Sequence, residues 1–249
     1  RSRNATAFDA AAGHFETAIA RDPEFAPAYA GLAQVLALRV GYGLDDPVAT
    51  LERSREYAAV ALEHNPNLAE AHAALGLTRT SVTAGPVDWK DAERHFHRAI
   101  DLMPGFALAH SWLGMLYTQM GRLNDGREYL RSGIELDPKG LVPQTLLAEN
   151  YIYSREYDKA DEILSAVLEE DPGSLLAVVF LNELFAGQGY THARVERLKR
   201  ALSGLTTRDT FGLAAALAAA QAQTGDANEA RAFIERELPG GPESQLFTI

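Results

Sequence analysis

An all-α fold of stacked antiparallel helix hairpins is predicted by three observations. A dipeptide ending in proline recurs behind apolar helix ends, at Asp22-Pro23, Asn65-Pro66, Met103-Pro104, Asp137-Pro138 and Asp171-Pro172, with spacings of 43, 38, 34 and 34 residues. Five residues before each proline stands a side chain of small or moderate bulk (Ala18, Ala61, Ala99, Gly133, Val167), and three residues earlier come Phe15, Ala58, Phe96, Leu130 and Leu164. After the prolines a Leu followed by a compact residue repeats at Leu32-Ala33, Leu75-Gly76, Leu113-Gly114 and Leu147-Ala148, imperfectly at Leu181-Asn182, with mostly large residues three further on (Leu36, Arg79, Tyr117, Tyr151, Phe185). A generic Ala/Leu bundle also repeats such residues, but not several positions together at one period.

Taken in order, 1–25 reads as the second helix, Phe8 to Ala20, of a truncated hairpin whose first helix lies upstream, and six hairpin units follow at 26–68, 69–106, 107–140, 141–174, 175–210 and 211–244, with a further helix starting in 245–249. The whole of 1–249 is thus expected to be one array. Gly121, Gly189 and Gly225-Asp226 fall where a tight turn must separate two helices. In each unit small side chains let the paired helices approach, large ones fill the adjacent hole, and the proline stops the second helix. The first unit is nine residues longer than 34, most of them in Gly41-Tyr42-Gly43-Leu44-Asp45-Asp46-Pro47 ahead of a helix at Val48, and the second is four longer around Ser81 to Asp88. Both insertions lengthen turns inside hairpins without interrupting the stack.

In order and spacing these residues resemble the tetratricopeptide repeat, and that resemblance implies a right-handed α-solenoid. The Gly-Tyr-Gly insert, with Asp88-Trp89 and the later Asp91-Ala92-Glu93-Arg94-His95-Phe96, is similar to the repeat regions that follow winged-helix, nucleotide-cyclase or Ser/Thr-kinase domains in bacterial regulators. The start at Arg1-Ser2-Arg3-Asn4 reads as a cut from a longer parent. Cut ends would favour self-association through exposed solenoid ends.

Bulk properties narrow the function. Against 23 basic residues stand 34 acidic ones, a net charge of −11 that repels phosphate backbones, so nucleic acid is not an expected ligand. No stretch reaches the roughly 18 apolar residues of a membrane span, so no insertion is expected. The absence of cysteine removes disulfides, thiolate metal sites and thiol nucleophiles. These observations leave the compartment open, with the cytoplasm favoured and the periplasm an alternative if the parent has an upstream membrane segment.

Nothing in the sequence assembles a catalytic site, a cofactor site or a metal site, and none is expected. There is no phosphate-binding Gly-rich loop and no Gly-x-Ser-x-Gly elbow, and the pairs Asp45-Asp46 and Glu169-Glu170 read as solvated surface. His95 and His97 are two apart on a helix and point to different sides, while His72 and His110 share one repeat position and read as structural histidines.

The chain is therefore expected to be a non-catalytic protein-interaction module. By resemblance the first helix of each hairpin lines the concave face, through Leu108, Ser111, Trp112, Met115 and Gln119 in one unit, Leu146, Glu149 and Tyr153 in the next, and Phe180 and Glu183 in the following one. Chaperone-binding relatives hold a peptide carboxylate with Lys, Arg and Asn at such positions, and those types do not occur among these ten. Aromatic and apolar side chains beside Glu149 and Glu183 suit an apolar segment carrying a basic residue. The alternative for Trp112 and Phe180 is that they fill space between hairpins, which solvent exposure decides. A free-standing assembly adaptor is the second reading, and a small-molecule sensor or enzyme using Tyr42 and Tyr153 the third.

Overall fold

The structure, a computed structural model, describes residues 5–80 and 88–203. Among them the regular structure is entirely helical: α1 (Ala5–Arg21), α2 (Ala26–Gly41), α3 (Pro47–His64), α4 (Ala69–Thr78), α5 (Trp89–Leu102), α6 (Ala107–Gln119), α7 (Leu123–Leu136), α8 (Leu141–Tyr153), α9 (Tyr157–Glu170), α10 (Leu175–Gln188) and α11 (His192–Leu202). They divide into two compact units, 5–154 and 155–203. The expected segments 1–4, most of the second insertion (81–87), the unit 211–244 and the start at 245–249 lie outside the described residues.

In the first unit each helix packs on the next, α2 also packs on α4, and α6 on α8. That connectivity explains an asymmetry between the two kinds of helix. α2, α4, α6 and α8 are enclosed on several sides and apolar nearly all round; α2 alone buries ten residues, from Ala26 to Val40. The following helices bury one narrow stripe at helical spacing: Ala92, Phe96 and Ala99 on α5, and Gly126, Leu130 and Gly133 on α7. In the second unit the same contrast separates α10 from α9, which buries Ala160, Leu164 and Val167, and from α11, which buries Val195, Leu198 and Leu202. Fully enclosing a leucine such as Leu130 stabilises the unit by about 2 kcal/mol.

Small residues set how closely helices approach. Ala26, Ala30, Ala61, Leu68 and Ala71 form one cluster and Ala33, Ala58 and Ala74 another, tying α2, α3 and α4 together. At the α6–α7 crossing, Gly114, Gly126 and Gly133 bring the backbones closer still: a β-carbon on Gly126 would stand 2.8 Å from the Gly114 carbonyl oxygen.

Turns follow their residue types. Gly121 and Gly189 sit in left-handed backbone (φ 77° and 82°) after α6 and α10, and Arg155 takes that conformation (φ 59°) between α8 and α9. Asp46 caps α3 by accepting from the Ala49 amide, with Pro47 in the first turn, and Asp88 caps α5 by accepting from the Asp91 amide. The first insertion is pinned. Arg39, 8% exposed, donates to both carboxylate oxygens of Asp45 and pairs with Asp9 of α1, while Tyr42 meets Phe8 edge-on at 5.2 Å. The solvated reading is thereby corrected for Asp45, whose carboxylate holds a nearly buried guanidinium; Asp46 is exposed and caps the start of α3.

Candidate functional site

The candidate face in the first unit comprises the inward positions of α6 and α8, helices that pack on each other. The structure sorts the expected residues into two groups. Tyr153 is 53% exposed and Gln119 is exposed, with Leu108 and Met115 half-buried. Ser111 (0%), Trp112 (2%), Leu146 (3%) and Glu149 (5%) are buried. In the second unit Phe180 is 6% exposed and Glu183 is half-buried.

Trp112 is therefore not an anchor offered to a partner. Its indole lies 6.4 Å from the Phe96 ring of α5 and 6.2 Å from Phe106, filling the space between successive hairpins. Leu146 and Phe180 are corrected on the same ground, since each is buried within its own unit. Ser111 turns toward α7, where it lies against Gly133 and donates to the Ala107 carbonyl. Glu149 remains an inward acid, but a buried one.

Charge on the first helices is one-sided. Among α2, α4, α6, α8 and α10 the carboxylates are Glu70, Glu149 and Glu183, lysine is absent, and the one arginine, Arg39, is held by Asp9 and Asp45. The Oε2 atom of Glu70 is buried without a hydrogen-bond partner. Burial pushes the Glu183 carboxyl above its ordinary value.

Buried polar groups elsewhere are bound into the scaffold. Asn150, fully enclosed, donates to Thr118 Oγ1 and to the Leu123 carbonyl, and accepts from Arg127 Nε, joining α6, α7 and α8. Tyr117 donates to Glu93 at 2.6 Å under the guanidinium of Arg122, 3.9 Å from the ring centre. Burial and the Glu93 hydrogen bond hold its phenol well above the usual range. His95 and His97 do diverge: His95 meets His72, and His97 meets Tyr117 and Tyr129.

Among the described residues no three His, Cys, Asp or Glu side chains converge as a metal site. Clefts bordered by described residues include one of about 370 Å³ beside Ser165, Leu168, Arg197 and Arg200 and one of about 520 Å³ beside His14, Arg21 and Phe25. Tyr42 and Tyr153, on which the third reading rests, border neither of these two. No described helix is long and apolar enough to cross a membrane.

Residues 107–139 match the family described as tetratricopeptide repeat. The chain is 33% identical over 86 residues to Hsp70-Hsp90 organizing protein 2 of Arabidopsis thaliana, 34% of this chain and 15% of that protein. It is 35% identical over 82 residues to Protein O-mannosyl-transferase F38B6.6 of Caenorhabditis elegans, 33% of this chain and 11% of that one. The chain thus spans a small part of the curated relatives it matches. A tetratricopeptide repeat protein from Parabacteroides merdae ATCC 43184 superposes with a TM-score of 0.57 at 13% identity, over 95% of this chain and 88% of that one.

Proposed function

We propose that this tetratricopeptide-repeat array is a non-catalytic module that holds an apolar protein segment carrying a basic residue. The observation that carries the reading is the charge asymmetry of the first helices: three carboxylates, no lysine, and a lone arginine already engaged. A cation brought by a partner meets no lysine or free arginine on those helices and finds acids whose burial has removed much of their water. On the packed pair α6 and α8, the exposed Tyr153 and the half-buried Met115 and Leu108 supply apolar contact, and such residue types are enriched in binding patches. In the second unit Glu183, with Val179 and Leu176 four and seven residues before it on α10 and so on one face, offers the same chemistry.

The missing basic residues also speak against capture of a partner's terminal carboxylate, which needs cations on the inner helices. The parent is proposed to be a bacterial regulator in which partner engagement biases an attached effector, supported by the Gly-Tyr-Gly insert and the Asp88-Trp89 segment. A free-standing assembly adaptor remains the second reading, and the coding sequence flanking this segment separates the two.

Selection from a random peptide display library tests the binding proposal. The wild-type chain is expected to enrich apolar peptides bearing Lys or Arg, and Met115→Lys and Tyr153→Ser to lose that enrichment while keeping the helical circular dichroism. Equal enrichment by wild type and variants, or enrichment of acidic peptides, refutes it.

A further inference from the structure

One ring pair recurs along the first unit. The fourth residue of a hairpin faces the residue just before the buried Ala58, Phe96 or Leu130 of the second helix: Tyr29 with Tyr57 (ring centres 6.2 Å), His72 with His95 (5.5 Å) and His110 with Tyr129 (6.1 Å). Only in the middle pair are both rings imidazoles. There the two Nδ1 atoms are 3.2 Å apart, so one must donate and the other accept.

The surrounding bonds decide which. Arg94 reaches His95 Nε2 at 3.2 Å, and a guanidinium can only donate, so Nε2 accepts and the proton of His95 sits on Nδ1. With the His95 proton on Nδ1, His72 Nδ1 is the acceptor, which places the proton of a neutral His72 on Nε2. The run from Arg94 through His95 to His72 thus has one direction. A proton added to either ring sets donor against donor.

We propose that His72 and His95 form a neutral, tautomer-fixed clasp between α4 and α5 that opens on acidification, making this hairpin the pH-sensitive joint of the first unit. The charged groups acting on the pair are Arg79 after α4 and Asp91, Arg94 and Arg98 on α5. α3 presents to its neighbours the untitratable Thr50, Leu51, Ser54, Ala58 and Ala61; α6 carries His110 and Tyr117, whose phenol burial and Glu93 hold neutral; and Arg39 of α2 is engaged by Asp9 and Asp45. Three arginines against one aspartate disfavour an added cation. Burial lowers His95 to about 4, with Arg94 adding to it and Asp91 opposing, and burial lowers His72 as well. The folded pair therefore binds protons less readily than the unfolded chain, and stability is lost as pH falls below the ordinary imidazole value of about 6.5.

Two measurements on the full chain test this. Nitrogen-15 NMR at neutral pH should show both rings neutral, His95 carrying its proton on Nδ1 and His72 on Nε2. Hydrogen-exchange protection of α4 and α5 should then fall up to about tenfold per pH unit between pH 6 and 4 for each proton taken up. The double variant His72→Tyr, His95→Tyr copies the pair already present between α2 and α3 and should abolish the fall; should it not fold, His95→Tyr, which copies the α6–α7 pair, should reduce it. The proposal is overturned if His95 is protonated at neutral pH, if it carries the Nε2 tautomer, or if the variants lose protection as steeply as the wild type.

Discussion

Replacing Gly126 by alanine is expected to destabilise the α6–α7 hairpin although alanine is the better helix former. Glycine inside a helix costs roughly 0.5–1 kcal/mol relative to alanine, so propensity alone predicts a gain of that size. Here the new β-carbon would stand 2.7 Å from Thr118 Oγ1, 2.8 Å from the Gly114 carbonyl oxygen and 3.0 Å from the Thr118 amide nitrogen. Two of those atoms are backbone. The third is fixed by its bonds to Gly114 and Asn150, so no side chain can swing away. Relief requires α7 to back off α6, loosening the fully buried Leu130, and such overpacking costs about 1–3 kcal/mol. The expected net effect is a loss of about 1 kcal/mol or more, read as a lower urea midpoint and faster amide exchange in α6 and α7. Gly13→Ala is the control, since nothing lies within 4 Å of a β-carbon there and the same substitution should stabilise α1. A Gly126→Ala midpoint at or above that of the wild type would refute the close-approach argument.

Other outcomes follow from the same geometry. Asn150→Ala strips partners from Thr118, Leu123 and Arg127 at a fully enclosed position, with an expected loss of about 2–3 kcal/mol in denaturant titration. Arg155→Gly relieves a left-handed arginine where Gly121 and Gly189 serve the equivalent turns, and should raise stability by up to about 1 kcal/mol. For Glu183 the folded value is raised, so its stabilising contribution is present at low pH and lost as pH rises through that value. Glu183→Gln should accordingly stabilise 155–203 at neutral pH, measured by thermal unfolding, while weakening a basic partner.

The hairpins were legible because a 34-residue period imposes itself on many positions at once, and Gly121 and Gly189 lie at the turns their types demand. The candidate face was less legible. Inward position in a hairpin says which way a side chain leaves its own helix, whereas the exposure of Trp112 depends on Phe96 and Phe106 arriving from the preceding hairpin. Arg39 was missed because its partners Asp9 and Asp45 belong to a different helix and a loop. The histidine clasp did leave a trace: aligning Tyr29, His72 and His110 against Tyr57, His95 and Tyr129 exposes a recurring ring pair.

The charge pattern of the first helices has a practical side. The four lysines of the chain are Lys90 and Lys159 on α5 and α9, Lys139 in the turn before α8, and Lys199 on α11. Reagents directed at lysine thus label or tether the molecule on α5, α9, α11 and the turn before α8, and not along α2, α4, α6, α8 or α10. A chain immobilised through its lysines keeps those helices unmodified for capture experiments. A carbodiimide, by contrast, joins a bound partner's lysine to Glu70, Glu149 or Glu183, so the residue recovered in the cross-linked peptide reads out which of α4, α8 and α10 the partner lies against.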